Sequence, residues 1–305
     1  MAHGPTRVRR RRSETGAWEL AEAPPAPGLE RLVRGYVGFV ETSTGPLCRR
    51  ETPSGTAVLI VNFGVPLEVG APSRPTVAHA DSFVARVSDL PATTAFRGTS
   101  AGVQVDFTPL GLHLFCGLAM DELPDPAVAL TDLLGDEGRR FTEILEDAGD
   151  WEARFDLLDA LILRRVGAAR PFAPSVEWAW RTLEASGGTI EVGLLNQRLR
   201  CSRRHLIAGF REQIGVSPKT AARILRFDRA ARRVRDHRAD SLVRIAGECG
   251  YHDQAHMTRE FRALAGITPA AYRAAMLPGY LGIPDSAGSE TGQVNSVQDS
   301  APPPA

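Results

Sequence analysis

Residues 201–218 read CSRRHLIAGFREQIGVSP, and residues 252–269 read HDQAHMTREFRALAGITP. With a shift of 51 positions the two stretches fall into step. Ser202 meets Asp253, His205 meets His256, Leu206 meets Met257, Phe210 meets Phe261 and Arg211 meets Arg262. Gly215, Val216, Ser217 and Pro218 meet Gly266, Ile267, Thr268 and Pro269. Ser and Asp are N-cap residues, whose side-chain oxygen accepts from the free N–H groups of a first helical turn. Glycine closes a helix, and Ser/Thr-Pro opens the next one. The repeated unit is a small helical module present twice.

Each module reads as helix, tight turn, helix. The first places helices over 191–199 and 203–213 around a turn at 200–202. The second places them over 241–248 and 253–265 around 249–252. This is the helix-turn-helix arrangement, whose second helix enters the DNA major groove. Stepping about 100° per residue puts Leu206, Phe210 and Ile214 on a core face. Arg204, Ala208 and Arg211 fall opposite, with His205 on the flank. In the second module Met257, Phe261 and Leu264 face inward. Ala255, Arg259 and Arg262 face outward, with His256 on the flank. Arginine pairs bidentately with guanine O6 and N7, each good contact contributing ~1–3 kcal/mol of discrimination. Arg203 and Gln254 sit in first turns, within reach of phosphates or base edges. A basic helix over 219–237 joins the modules; if it holds the second helices ~34 Å apart, they meet successive major grooves.

Outward from this region, 176–280 forms the helical DNA-binding domain and the Gly/Ala/Pro stretch at 167–175 a linker. Helical periodicity over 112–120, 126–134, 137–148 and 151–166 precedes it, with Asp150 as a cap and Arg154 on an exposed face. Strand-like runs occupy 33–40, 57–63, 82–87 and 103–107. The fold class is α+β: a β-rich, sensor-like domain with following helices over 29–166, then an all-α domain with two helix-turn-helix units joined by a long helix. Residues 1–28, arginine-rich and then Pro/Ala-rich, read as a disordered arm, and 281–305 as a disordered tail.

The 305-residue chain has no net charge at pH 7, but the charge is unevenly distributed. Residues 176–280 hold 18 Lys/Arg against 10 Asp/Glu, whereas 13–175 hold 13 against 23. A basic half suits phosphate neutralisation. No apolar run approaches the ~20 residues of a membrane helix, and no apolar stretch follows the arginine run to make a secretory signal. The four cysteines, Cys48, Cys116, Cys201 and Cys249, lack CxxC spacing. That fits a reducing cytoplasm and neither a disulfide framework nor a structural zinc site.

CSRRHL at 201–206, FREQIGVSP at 210–218, CGYHDQAHM at 249–257, REF at 259–261 and GITP at 266–269 together resemble the AraC/XylS family of bacterial regulators. The linking stretch PKTAARILRF at 218–227 resembles one branch of it. The resemblance covers 176–278 and implies base contacts from both second helices. Carried over to matching positions, Arg204, Gln254, Ala255, Thr258 and Arg259 are the base readers. Arg203, His205, Arg211, His256 and Arg262 serve as phosphate or flanking contacts. Ile207 and Ala208 depart from the polar readers often found there, Arg200 from a glycine, and Cys201 from an apolar residue. The N-terminal part is similar to sensor domains of such regulators, with GVQVDFTPLG at 102–111 characteristic of one subgroup.

The expected function is sequence-specific transcription regulation, modulated through the N-terminal domain. Double-stranded promoter DNA is the partner; RNA polymerase, a small-molecule effector and a second copy are further candidates. No catalytic residue, metal or cofactor is expected. GTSAG at 98–102 matches the nucleophile-elbow pattern, but strand-like residues follow it where a helix is needed, so it reads as a turn. His113 and Cys116 lack converging metal ligands. Trp151, Phe155 and the strand aromatics are candidates for pocket walls, with aromatic core the commoner role. The competing classes are an enzyme seated in 30–166 and a protein-binding adaptor.

Overall fold

The computed structural model describes residues 3–13, 16–71, 74–236, 240–275 and 283–284. The sheet begins much earlier than expected, with β1 (Arg7–Ser13) and β2 (Gly16–Ala23) paired antiparallel. Residues 7–23 therefore form no disordered arm. The arginine run makes a strand because glutamates lie across from it. Arg10 stands opposite Glu19 and binds it at 2.6 Å, and Arg9 reaches Glu22 at 2.7 Å. Glu19 also accepts from the Trp151 indole at 2.7 Å, and these bonds, Trp151 first, hold its carboxyl below the usual range. In the Pro/Ala-rich stretch that follows, Ala26 and Leu29 are fully buried. The Ala26 N–H and the Tyr36 hydroxyl both donate to the buried carboxylate of Asp159, at 3.1 and 2.6 Å.

The next strands are β3 (Val33–Glu51), β4 (Ala57–Asn62), β5 (Leu67–Ala71), β6 (Arg74–Ala80), β7 (Phe83–Ala85) and β8 (Ala92–Phe107). β8 is central. It pairs antiparallel with β3 along its length, with β4 through Gly102–Phe107, and with β5 through 93–95. Strand alternation gives β8 two faces. Val103, Val105 and Phe107 point into the main core, whereas Phe96, Ser100, Gln104 and Asp106 line a cavity. Ser100 thus lies within a strand, so GTSAG at 98–102 is neither an elbow nor a turn.

The helices are α1 (Pro109–Cys116), α2 (Leu130–Leu134), α3 (Asp136–Asp147) and α4 (Trp151–Ala168). α1 starts three residues before the expected helix because Thr108 caps it, accepting from the Gly111 N–H at 3.1 Å. It ends at Gly117 in the left-handed region. The helix expected over 126–134 is shortened, since β9 (Val128–Ala129) pairs with β7. Asp150 caps α4 as expected, accepting from Ala153 at 2.8 Å. Arg154 is half-buried rather than exposed: its guanidinium lies over Trp151 and Phe63. Of the expected tail, β10 (Ile283–Pro284) pairs with Arg49 and Arg50 of β3; the rest of 281–305 lies outside the described residues.

The C-terminal helices are α5 (Pro174–Ala185), α6 (Val192–Leu199), α7 (Arg203–Ile214), α8 (Pro218–Asp236), α9 (Leu242–Glu248), α10 (Gln254–Ala265) and α11 (Pro269–Ala275). Leu206, Phe210 and Ile214 of α7 belong to the same apolar cluster as Val105, Phe115 and Met120 of the sheet domain. Met257, Phe261 and Leu264 of α10 form a separate cluster with Phe227 and Ile245. The first module is joined to the sheet domain through a common core, and the second builds its own. Phe210 and Phe261 are both fully buried, so truncating either to Ala is expected to cost ~3–5 kcal/mol. Calorimetry should give Phe261→Ala a separate low-temperature transition for the second module. Phe210→Ala should lower the melting of sheet and first module together. A single shared transition in both variants would contradict the two-core description.

Candidate nucleic-acid interface

The duplication seen in the letters recurs in the hydrogen bonds. Ser202 Oγ accepts from the His205 N–H at 3.2 Å, and Asp253 Oδ1 from the His256 N–H at 2.6 Å. That bond and the neighbouring His252 ring lower the Asp253 carboxyl. Gly215 and Gly266 close α7 and α10 with φ of 95° and 73°. Ser217 and Thr268 then accept from Thr220 and Ala271, each at 3.2 Å, opening α8 and α11. The turns differ by one residue. Arg200, in the left-handed region at φ 50°, takes the place that Gly250 takes at φ 78°. Cys201 then corresponds to the buried Tyr251, and His252 is the inserted residue, its side chain 90% exposed.

Arg204, Gln254, Ala255 and Arg259 are all exposed, as are Arg203, His205, Arg211 and Arg262. Thr258 is half-buried and donates its hydroxyl to the Gln254 carbonyl at 2.9 Å. His256 differs from its counterpart His205. Its ring meets Tyr251 edge-on at 5.3 Å, with Nε2 3.9 Å from Glu260, so it is engaged inside the module.

The electrostatics separate two sets of arginines. On α8, Arg226 pairs with Glu260 at 3.2 Å, Arg223 with Glu260 and Asp89 at 3.5 Å, and Arg232 with Asp228 at 3.1 Å. Arg233 pairs with Glu248. Glu260 is buried on the inward face of α10, and Arg226 also lies over the Tyr251 ring. Among the described residues, Arg203, Arg204, Arg211, Arg259 and Arg262 have no ion pair; Arg259 acts on Asp253 only at longer range. The charge of α8 is largely spent on holding the helices together, while that of α7 and α10 faces solvent. Glu260 was missed in the sequence, although an acid on an apolar helix face among so many arginines is a readable signal.

Two sheet-domain arginines also meet the second helices. Arg86, paired with Asp125 at 2.6 Å, donates to the Gly215 carbonyl at 3.2 Å. Arg50 donates to the Ala265 carbonyl at 3.0 Å. A Cβ on Gly266 would lie 2.2 Å from the Arg50 guanidinium, so glycine serves both the backbone turn and this approach. A cation at a helix C-terminus complements the helix dipole. Nothing in the letters around Arg50 or Arg86 marks them for this role.

Residues 195–275 match a family described as a helix-turn-helix domain, and residues 21–129 match a domain of unknown function, DUF6597. The HTH-type transcriptional regulator Rv1931c of Mycobacterium tuberculosis is 36% identical over 90 residues, 30% of this chain and 34% of that protein. The F1 operon positive regulatory protein of Yersinia pestis is 38% identical over 77 residues, 25% of each chain. This chain thus spans about a third and a quarter of those relatives' lengths. The crystal structure of ToxT from Vibrio cholerae O395 aligns over 77% of this chain and 98% of its own, with 10% identity and a TM-score of 0.45. The duplicated C-terminal region is thus similar to the helix-turn-helix regions of transcriptional regulators.

Proposed function

We propose that this protein is a sequence-specific DNA-binding transcription regulator of the cytoplasm, acting on promoter DNA and modulated through its N-terminal domain. The observation that carries the reading is the division of arginines. Two equivalently capped second helices present guanidiniums with no ion pair among the described residues, beside a connecting helix whose guanidiniums are mostly ion-paired. Arg204, Gln254, Ala255, Thr258 and Arg259 read bases. Arg203, Arg211 and Arg262 contact phosphates, with His205 on the flank; His256 supports α10 from within. The N-terminal domain bears on both second helices through Arg86 and Arg50, which gives modulation a physical route.

The experiment is fluorescence anisotropy of the full chain on a duplex selected from a random pool, against a scrambled duplex, over a salt series. Tight selective binding that weakens steeply with salt is expected. Equal, salt-insensitive affinity for both duplexes would overturn the reading. Arg259→Ala is expected to weaken binding to the selected duplex by ~1–3 kcal/mol and relax its preference. Replacing Arg211 and Arg262 together with Gln is expected to weaken binding to all duplexes and reduce the salt slope by roughly 2. Arg226→Gln should leave that slope unchanged, because its charge already serves Glu260.

A further inference from the structure

The face of β8 turned away from the core borders a cavity of about 490 Å³, a size suited to a small organic molecule. Its walls are apolar, with Val37, Phe39, Ile60, Val69, Phe83 and Phe96 among them. Trp151 and Phe155 are not in this lining; Phe155 is core, and Trp151 packs over Gly38. The charged groups in the wall are unevenly matched. Arg49 is paired with Glu41, both mostly buried, and Arg86 with Asp125. Both guanidiniums of the wall are therefore neutralised. Among the described residues two wall carboxylates have no ion pair, the half-buried Asp106 and the exposed Glu51. Asp106 receives only the Gln104 amide, at 2.6 Å, and Glu51 only the Thr94 hydroxyl, at 3.0 Å.

We propose that this cavity is the effector site and that it takes an apolar, aromatic organic cation of drug size. The inference deepens the reading of the N-terminal domain as the modulating part of a regulator. An anion entering beside the half-buried Asp106, with Glu51 at the exposed rim, meets unmatched like charge, whereas a cation supplies what is missing. The faces of Phe39 and Phe83 add attraction for a cation; Phe96 already carries the Arg49 guanidinium at 5.8 Å. Burial raises the Asp106 carboxyl, against the lowering influence of the Gln104 amide and the more distant Arg34, itself paired with Glu184. Burial by itself favours the neutral acid, and a cation bound beside it favours the carboxylate.

The test uses three probes of nearly one shape: 1-naphthylmethylammonium, neutral 1-naphthylmethanol and anionic 1-naphthoate. Each is titrated calorimetrically into the full chain without DNA, so the result stands apart from whether the protein binds an operator. The ammonium is expected to bind at least about ten-fold tighter than the naphthoate, as one unmatched charge in a protein interior requires. Asp106→Asn, which preserves shape, and Glu51→Gln should each shrink that preference, while Val69→Trp should abolish binding by filling the cavity. Circular dichroism establishes that each variant is folded. Naphthoate binding as well as or better than the ammonium would overturn the proposal. So would absence of binding by all three, or a charge preference unchanged in both Asp106→Asn and Glu51→Gln.

Discussion

The structure rests on the burial of one face of β8. Val103, Val105 and Phe107 are fully buried, and strand geometry sends their even-numbered neighbours to the other side. Moving the strand by one residue would bring Gln104 and Asp106 into the apolar core and turn three large side chains outward. That cost fixes the register with β3 and β4 at once, since both pair along the same segment. The cavity follows from it. β8 pairs with β5 along its first part and with β4 along its last, and residues of all three strands line the cavity beside its second face. The residues there are left with too few apolar neighbours to close the space.

The core beneath β8 also decides how the two halves of the chain meet. It continues through Phe115 and Met120 into Leu206, Phe210 and Ile214, so the first module is packed as an extension of the sheet domain. The buried Gln213 accepts from the Ala173 N–H at 2.9 Å, tying the end of the linker to α7. Among the described residues the second module shares no apolar cluster with the sheet domain and meets it through polar contacts such as that of Arg50. It hangs on α8 through Phe227, stacked edge-on against Phe261 at 4.8 Å, and through the ion pairs of Glu260. One helix thus carries the separation between the two arginine-bearing surfaces. Its own arginines are consumed in stiffening it, which is why a net basic charge on α8 is poor evidence of a DNA-facing surface.

The helical half was largely legible because its signals are local. Caps, closing glycines and a 3.6-residue apolar period act within a turn or two, and the repeat displays them twice. The exposure of Arg204, Arg211, Arg259 and Arg262 follows directly from that period. The sheet half was less legible because its signals are relational. Nothing in RRRR at 9–12 marks a strand until Glu19 and Glu22 are known to lie opposite. The strand rich in small and polar residues before Phe96 is likewise defined by its partners, β3 and β5. Thr108-Pro109 is a different case. It is a local cap signal that placed the start of α1 in plain sight, yet the apolar run that follows drew the boundary later. His256 shares the flanking angular position of His205, and Tyr251, which replaces Cys201 in the second turn, gives its ring an edge-on partner.

A ligand in the cavity can change DNA binding only by interacting differently with two arrangements of the second helices. The contacts that would carry such a difference are few. Arg86 lines the cavity and also binds the closing carbonyl of α7; Arg50 lies between two wall residues, Arg49 and Glu51, and binds the last carbonyl of α10. Gly215 and Ala265 occupy nearly equivalent places in the two modules, so one sheet domain touches both repeats at corresponding ends. The two links lie in different settings. Arg86 is held by Asp125 and by the Leu123 and Val87 carbonyls, on a module already sharing the sheet's core. Arg50 reaches a module with a separate core. A change in the wall at β3 therefore bears on α10 through Arg50, and a change near Arg86 bears on α7.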